Sequence, residues 1–236
     1  MTDTVALTYF GFSSFELSVG DTRLLFDPWI SEPDWTPVGV DEFADVAYVF
    51  VTHGARDHLG DAPDIITAAD ATAITEPAVA DHLLGLGIPE SNVERVIWGN
   101  RFALGDINVR VLETRHLSYF ESSVGRLSGI SVGFYLDVGS TSVYYVGDTS
   151  LFSDLSLFVE RYEPEYVLLP VGSAPGDYPP LPPDDAAVAA GWLADTQIIP
   201  VHYVPGSPEL VAFENALGGD AGRVRSLEPG DRLTLG

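Results

Sequence analysis

The sequence of 236 residues contains no cysteine. Neither a disulfide framework nor a thiolate metal site can therefore form, so any metal ligands must be histidine, aspartate or glutamate side chains. The sequence also lacks an uninterrupted apolar run of the roughly 18 residues that a membrane-spanning helix needs. Its first residues have neither the basic region nor the apolar stretch of a secretory signal peptide. We therefore expect a soluble cytoplasmic protein.

Lysine is absent as well, and the 11 basic residues are all arginine, against 35 acidic residues, for a net charge of −24. Such a charge repels nucleic acids and anionic membrane surfaces, so neither is expected as a partner. At about 1 M salt the Debye length falls to roughly 3 Å, which screens most of the repulsion within the protein itself. The composition therefore favours a protein of a halophilic cytoplasm over an acidic protein of an ordinary one.

Short extended runs alternate with helical patterns along the chain, and no linker or repeat divides it. This alternation predicts one α/β domain over residues 1–236. Predicted strands cover residues 5–9, 14–19, 23–26, 46–51, 71–75, 93–97, 107–112, 130–137, 141–147, 166–171 and 197–201. Predicted helices cover residues 77–86, 154–161, 184–193 and 209–217.

The segment Thr52–Asp61 places two histidines and an aspartate directly after an apolar run. That run, residues 46–51, is rich in β-branched and aromatic residues and predicts a buried strand. If the extended conformation continued, residues 53 and 55 would point to the same side, so a second ligand beside His53 is expected at position 55. Ala55 stands there instead. A helix N-cap with incidental histidines is the alternative interpretation.

Three further candidate ligands, His116, Asp148 and His202, follow other predicted strands. In open α/β sheets, the loops at strand ends gather at one edge, where ligand sites form. Imidazole and carboxylate groups at such an edge suit Zn²⁺, Mn²⁺ or Fe²⁺. The sequence therefore predicts a metal site, although Asp148 would also suit a simple turn. His82 lies within a predicted helix and receives no role.

These motifs together resemble the metallo-β-lactamase fold superfamily, and within it the branch of metal-dependent hydrolases that includes ascorbate-6-phosphate lactonase. The superfamily resemblance rests on His53-x-x-x-Asp57-His58 with Gly60–Asp61, on His116, and on residues 145–149 and 200–203. The resemblance to the branch rests on residues 9–15, 26–29, 147–152 and 169–172. It implies an α/β (α+β) fold, a four-layer αββα sandwich, with two metals at one edge.

The resemblance also implies a role for each matching residue. His53, His116 and Asp148 would contact the first metal, and the second would be bound by Asp57, His58, Asp148 and His202. The family places a further histidine at the position of Ala55, and this branch often has one at Phe12; both are absent here. The loss at position 55 weakens the first metal position, whereas the second keeps all four expected ligands, so one metal is favoured and two remain open. Asp57 would both bind the metal and orient the attacking water.

Asp27 follows the predicted strand at residues 23–26, and proline comes directly after it. Its carboxylate would accept a hydrogen bond from a ligand imidazole and fix the tautomer of that ring. A turn carboxylate bonded to local backbone is an equally good interpretation.

We thus expect a metal-dependent hydrolase that uses a metal-activated water on a small-molecule ester, lactone or phosphoester. The alternative is a degenerate member of the fold with a binding or structural role and no hydrolysis. The substrate, the native metal and the oligomeric state are left open by the sequence.

The halophilic hypothesis predicts that salt stabilises the protein. The melting temperature should rise between dilute buffer and molar KCl, because screening removes the repulsion among the excess carboxylates. Thermal unfolding at increasing KCl measures this, and a melting temperature that does not rise would contradict the hypothesis.

Overall fold

A computed structural model describes residues 4–139, 141–174, 176–193 and 196–236. Its strands, numbered along the chain, are β1 (Val5–Gly11), β2 (Ser14–Val19), β3 (Thr22–Phe26), β4 (Tyr48–Val51), β5 (Thr72–Thr75), β6 (Val93–Arg95), β7 (Arg101–Leu104), β8 (Ile107–Ser122), β9 (Gly125–Asp137), β10 (Ser142–Tyr145), β11 (Tyr166–Pro170), β12 (Gln197–Val201) and β13 (Arg232–Leu235). Its α-helices are α1 (Arg56–Leu59), α2 (Ala62–Ala69), α3 (Pro77–Gly85), α4 (Asp154–Tyr162), α5 (Pro183–Gly191) and α6 (Pro208–Leu217).

The strands form two mixed sheets. The first has the order β13-β1-β2-β3-β4-β5-β6, and the second has the order β12-β11-β10-β9-β8-β7. In the first sheet β3 to β6 run parallel, and in the second β10 to β12 run parallel, while the other pairs are antiparallel. Parallel neighbours end at the same edge of a sheet, so each sheet presents a cluster of loops after its parallel strands.

The two sheets pack face to face over a core of aliphatic and aromatic side chains. At its centre Phe26 stacks on Phe50 with ring centroids 4.5 Å apart, and Phe50 meets Phe134 of the second sheet edge-on at 5.0 Å. Such aromatic pairs add to the stabilisation from burying their area. Strands such as β1, β2, β4, β11 and β12 are buried at nearly every position, so their outward-facing side chains must be covered as well.

Helices supply that cover on both sides. The outer face of the first sheet packs against α2 and α3, with Ile65, Val79 and Leu83 buried between them. On the second sheet, α4, α5 and α6 bury residues such as Leu155 and Phe213. The four-layer αββα arrangement expected from the sequence is thereby confirmed. No helix in the described ranges combines the length and apolar character needed to cross a bilayer.

Most predicted strands and helices are confirmed, with ends within two residues of the observed ones. The predicted end of the strand before His116 is wrong. The sequence placed His116 after a strand, whereas β8 continues through it to Ser122. The pairing of β8 with β9 shifts register between Glu113 and Leu117, around His116. Such an irregularity re-aims a side chain without ending the strand, and it leaves no turn signal in the sequence.

Candidate metal centre

The predicted ligands come together at one edge of the sandwich and are supplied by both sheets. The first sheet contributes His53 after β4, and α1 follows at once with Asp57 and His58. The second sheet contributes Asp148 after β10 and His202 after β12. His116 joins them from within β8, its ring centroid 5.0 Å from that of His53.

The backbone is in the left-handed region at the candidate ligand His202 and at Phe12, which contacts it. His202 has φ of +58°, and its amide donates to the Phe12 carbonyl over 2.8 Å. Phe12 also has positive φ, at +56°, and its ring lies 4.4 Å from that of His202. A non-glycine residue at positive φ costs free energy and persists where surrounding contacts fix it. Phe12 therefore supports the His202 loop through its carbonyl and its ring.

Four side chains form the second predicted metal position. Nε2 of His202 lies 2.9 Å from Oδ2 of Asp148 and 3.7 Å from Oδ2 of Asp57. Nε2 of His58 lies 3.5 Å from Oδ1 of Asp148 and 3.9 Å from Oδ2 of Asp57. Asp57, His58 and His202 each offer one ligand atom within 4.8 Å of the others, a spacing that one ion can bridge.

The first predicted position is less complete. His53, His58 and Asp148 offer ligand atoms within 4.8 Å of one another, and Nε2 of His116 lies 4.0 Å from Oδ2 of Asp148. The His116 side chain is 35% exposed, whereas those of His58 and His202 are buried. Ala55 begins α1 without a side-chain cap and offers no ligand atom. This position thus depends on two imidazoles and the shared Asp148.

Four of these buried atoms lack a hydrogen-bond partner among the described residues: Nε2 of His53, His58 and His202, and Oδ1 of Asp148. Leaving one buried polar group unpaired costs about 1–3 kcal/mol, so four of them within two overlapping groups of candidate ligands require an explanation. His202 and Asp148 approach to 2.9 Å without the angle that a hydrogen bond requires. A cation between them satisfies nitrogen and oxygen lone pairs at once, so the donor set fits a metal ion.

Hydrogen bonds on the far side of each ring fix the tautomers that a metal needs. Nδ1 of His58 donates to Oδ2 of Asp27 over 2.8 Å, and Nδ1 of His202 donates to the Gly172 carbonyl over 2.9 Å. The Thr52 hydroxyl donates to Asp27 over 2.8 Å, and Nδ1 of His53 lies 3.0 Å from the same hydroxyl oxygen. Each Nε2 is thereby directed into the site.

Asp27 is the centre of this supporting network. Its Oδ1 accepts the Thr52 amide over 2.8 Å, and its Oδ2 accepts the Tyr145 hydroxyl over 2.5 Å in addition to Thr52 and His58. The sequence suggested Asp27 but assigned no function to Thr52 or Tyr145. The resemblance included Tyr145, yet nothing in the sequence shows that its hydroxyl reaches a residue 118 positions away.

Without a metal, the carboxylates hold protons on two of the imidazoles. Burial alone would lower the pKa of His202, but the nearby Asp148 carboxylate raises it to about 9. Burial likewise opposes the charged form of His58, and the carboxylates of Asp148, Asp27 and Asp57 raise its pKa well above the usual range. The pKa of Asp57 falls to about 2, because the attraction of His58 and His202 outweighs its burial.

The pKa values of the remaining candidate ligands are shifted by burial and by the neighbouring charged groups. Burial lowers the pKa of His53 well below the usual value, and the neighbouring His58 lowers it further. Burial also lowers the pKa of His116. The pKa of Asp148 lies well below the usual range despite its burial, because His202 and His58 stabilise the carboxylate.

A cavity of 450 Å³ opens beside Asp57, whose side chain is 20% exposed. Trp29 and Trp35 form part of its wall, with ring centroids 5.7 Å apart. Arg56 also lines it, with its guanidinium over the Trp29 ring and paired with Glu32. Asp57 is thus the ligand that faces this cavity, which is large enough for a small molecule.

Comparisons with known proteins identify the family and the fold. A family model for the beta-lactamase superfamily domain matches residues 22–203. The UPF0173 metal-dependent hydrolase of Caldivirga maquilingensis is 31% identical over 97% of both chains, and that of Pyrobaculum neutrophilum is 32% identical over 84% of this chain and 83% of the relative. Among solved structures, a metallo hydrolase from the archaeon Ignicoccus hospitalis has a TM-score of 0.81 at 26% identity, covering 99% of each chain.

Metal uptake by chelator-treated protein should depend steeply on pH. His202, with a pKa raised to about 9, and His58, with a raised pKa, hold protons at pH 7 that a metal must displace. Each displaced proton makes the apparent affinity rise about tenfold per pH unit below the pKa of that group. Zn²⁺ titrations between pH 6 and 8 should therefore show tighter binding at higher pH. An affinity independent of pH would contradict this electrostatic description.

Proposed function

The chain belongs to the beta-lactamase superfamily, within the UPF0173 family of metal-dependent hydrolases, and on that premise we propose that it hydrolyses a small-molecule ester, lactone or phosphoester. The observation that carries the proposal is a set of three unpaired, buried ligand atoms, on His58, His202 and Asp148, next to the Asp57 carboxylate that lines a cavity. When bound, the metal supplies an activated water as the nucleophile. We propose Zn²⁺ as that metal, with Mn²⁺ or Fe²⁺ as alternatives for the same donor set.

We further propose that one metal is bound, by Asp57, His58, Asp148 and His202. Two carboxylates neutralise a single divalent ion, whereas two ions would place four positive charges against the same two carboxylates. A structural reason points the same way, because position 55 offers no ligand and His116 is partly exposed. His53 and His116 then lie beside the occupied position and remain available for hydrogen bonding.

Asp57 is the residue we assign to orientation of the nucleophile. Its carboxylate faces the cavity, while the other proposed ligands of the same metal are buried. A pKa of about 2 keeps it ionised at neutral pH, so it accepts a hydrogen bond from the attacking group. The imidazoles of His58 and His202 are held from behind by Asp27 and Gly172, which limits their rotation during the reaction.

Metal analysis combined with hydrolysis assays tests this function. Protein purified without chelator should contain one equivalent of metal and hydrolyse members of an ester, lactone and phosphoester panel. His202→Ala should lose most of the metal and activity, because it removes one of four ligands. The matched control His82→Ala, on helix α3, should keep both. Protein that binds no metal after loading with Zn²⁺ or Mn²⁺ would instead support a binding or structural role without hydrolysis.

Restoring a ligand at position 55 tests the metal count. Ala55→His should raise the stoichiometry from one metal to two, since His53, His116 and Asp148 already surround the first position. Inductively coupled plasma analysis of the loaded variant measures this, with Ala55→Gln as a control of comparable size that lacks the imidazole. Two equivalents already present in the unaltered protein would contradict the single-metal proposal.

A further inference from the structure

A buried chain of hydrogen bonds joins the metal-binding loop of the first sheet to strand β8 of the second. The amide of Gly54, directly after His53, donates to Oγ of Ser118 over 2.9 Å. The Ser118 hydroxyl in turn donates to Oε1 of Glu76 over 2.7 Å. Both Ser118 and Glu76 are fully buried. We call Gly54, Ser118 and Glu76 the Glu76 brace.

The direction of each bond in the brace is determined by Glu76. Its Oε1 also accepts the Val79 amide over 3.0 Å, and its Oε2 accepts the Ala78 amide over 2.8 Å. With both oxygens acting as acceptors, the single proton of the Ser118 hydroxyl points to Glu76. The oxygen lone pair of Ser118 is therefore directed at Gly54. Without Glu76, the hydroxyl would be free to rotate and to offer its proton elsewhere.

Close packing at Gly54 and at Gly129 also holds the His53 loop against β8. A side chain at Gly54 would overlap the ring of Phe120, so the main chain of the loop lies directly against β8. Gly129 pairs with Ser118 across the strands, and a side chain at Gly129 would overlap the Glu76 carboxylate. Neither glycine has positive φ, so close approach rather than backbone conformation explains both.

The strand that receives the brace also supplies a metal-site residue. Residues 116, 118 and 120 recur with the two-residue period of one face of a strand. His116 faces His53 in the site, Ser118 accepts the Gly54 amide, and the Phe120 ring occupies the space that a side chain at Gly54 would need. A displacement of the loop relative to β8 would therefore move His53 and the following ligands relative to His116.

We propose that Glu76 is a positioning residue of the metal centre, acting through Ser118 to fix the His53 loop against β8. This inference rests on the proposed function, namely that these histidines and aspartates bind a metal. Glu76 lies outside the ligand set and touches neither metal nor substrate. A helix cap alone would require only its bonds to Ala78 and Val79. The hydrogen bond from Ser118 and the space that Gly129 leaves for the Glu76 carboxylate show that Glu76 does more than cap helix α3.

Zinc affinity and cobalt spectra of variants test this assignment. Ser118→Ala removes the link and leaves the helix cap intact, and Glu76→Gln replaces one acceptor oxygen with a donor. Both should weaken Zn²⁺ binding about tenfold or more, the usual scale for residues that orient metal ligands, and both should alter the visible spectrum of Co²⁺-loaded protein. Thr196→Val, which removes a buried hydrogen bond to Pro164 away from the site, should lower the melting temperature without changing either readout.

A double variant shows whether Glu76 and Ser118 affect Zn²⁺ binding through one shared hydrogen bond or independently. Because Glu76 acts through Ser118, Glu76→Gln combined with Ser118→Ala should weaken Zn²⁺ binding no more than the stronger single variant does. If Glu76→Gln fails to fold, the Zn²⁺ affinity and Co²⁺ spectrum of Ser118→Ala decide whether the positioning role holds, because this variant keeps the helix cap.

The outcomes distinguish this assignment from the proposed function. If the unaltered protein binds Zn²⁺ and both single variants bind it equally well with the same Co²⁺ spectrum, the positioning role is overturned and the proposed function stands. If the unaltered protein binds neither Zn²⁺ nor Mn²⁺, the proposed function is overturned and the positioning role with it. Weaker Zn²⁺ binding in both variants, with Thr196→Val unchanged, supports the assignment.

Discussion

The packing of the two sheets against each other determines the geometry of the candidate metal centre, because neither sheet supplies all of the proposed ligands. His53, Asp57 and His58 follow a strand of the first sheet, while His116, Asp148 and His202 belong to the second. The aromatic contact between Phe50 and Phe134 lies in the core that joins these layers. Close-packed interiors transmit small displacements, so a shift of one sheet over the other would separate the ligands that Asp148 brings together.

Burying several ionisable groups at this site costs free energy unless each charged group is paired. Asp27, Asp148, His58 and His202 are all buried, and ionised groups in such surroundings must be paired. Asp27 is satisfied by four hydrogen bonds from Thr52, His58 and Tyr145. Asp148 has no comparable set, and its Oδ1 is unpaired among the described residues. The fully hydrogen-bonded Asp27 carboxylate is therefore suited to orient an imidazole, whereas the Asp148 carboxylate, with an unpaired oxygen, is suited to bind an ion.

The brace at Glu76 and the network at Asp27 act on the ligand loop from opposite sides. Asp27 holds the loop through the Thr52 amide and the His58 ring, and Ser118 holds it through the Gly54 amide. His53 lies between these two points. The loop therefore has its backbone and ring orientations set before any ion binds, which reduces the conformational entropy lost on binding. Ala55, where the family resemblance implies a histidine, directly follows this supported segment.

Most element types, the four-layer fold implied by the family resemblance and the candidate ligands could be predicted from the residues alone, because strand periodicity, turn residues and motif spacing are local signals. The sequence placed Asp148 and His202 after strands, as the structure has them. The course of β8 through His116 became evident from the folded chain, as did two hydrogen bonds, from Tyr145 to Asp27 and from Ser118 to Glu76. These contacts join residues 42 or more positions apart. Their existence depends on how the sheets are packed, which no local pattern of residues encodes.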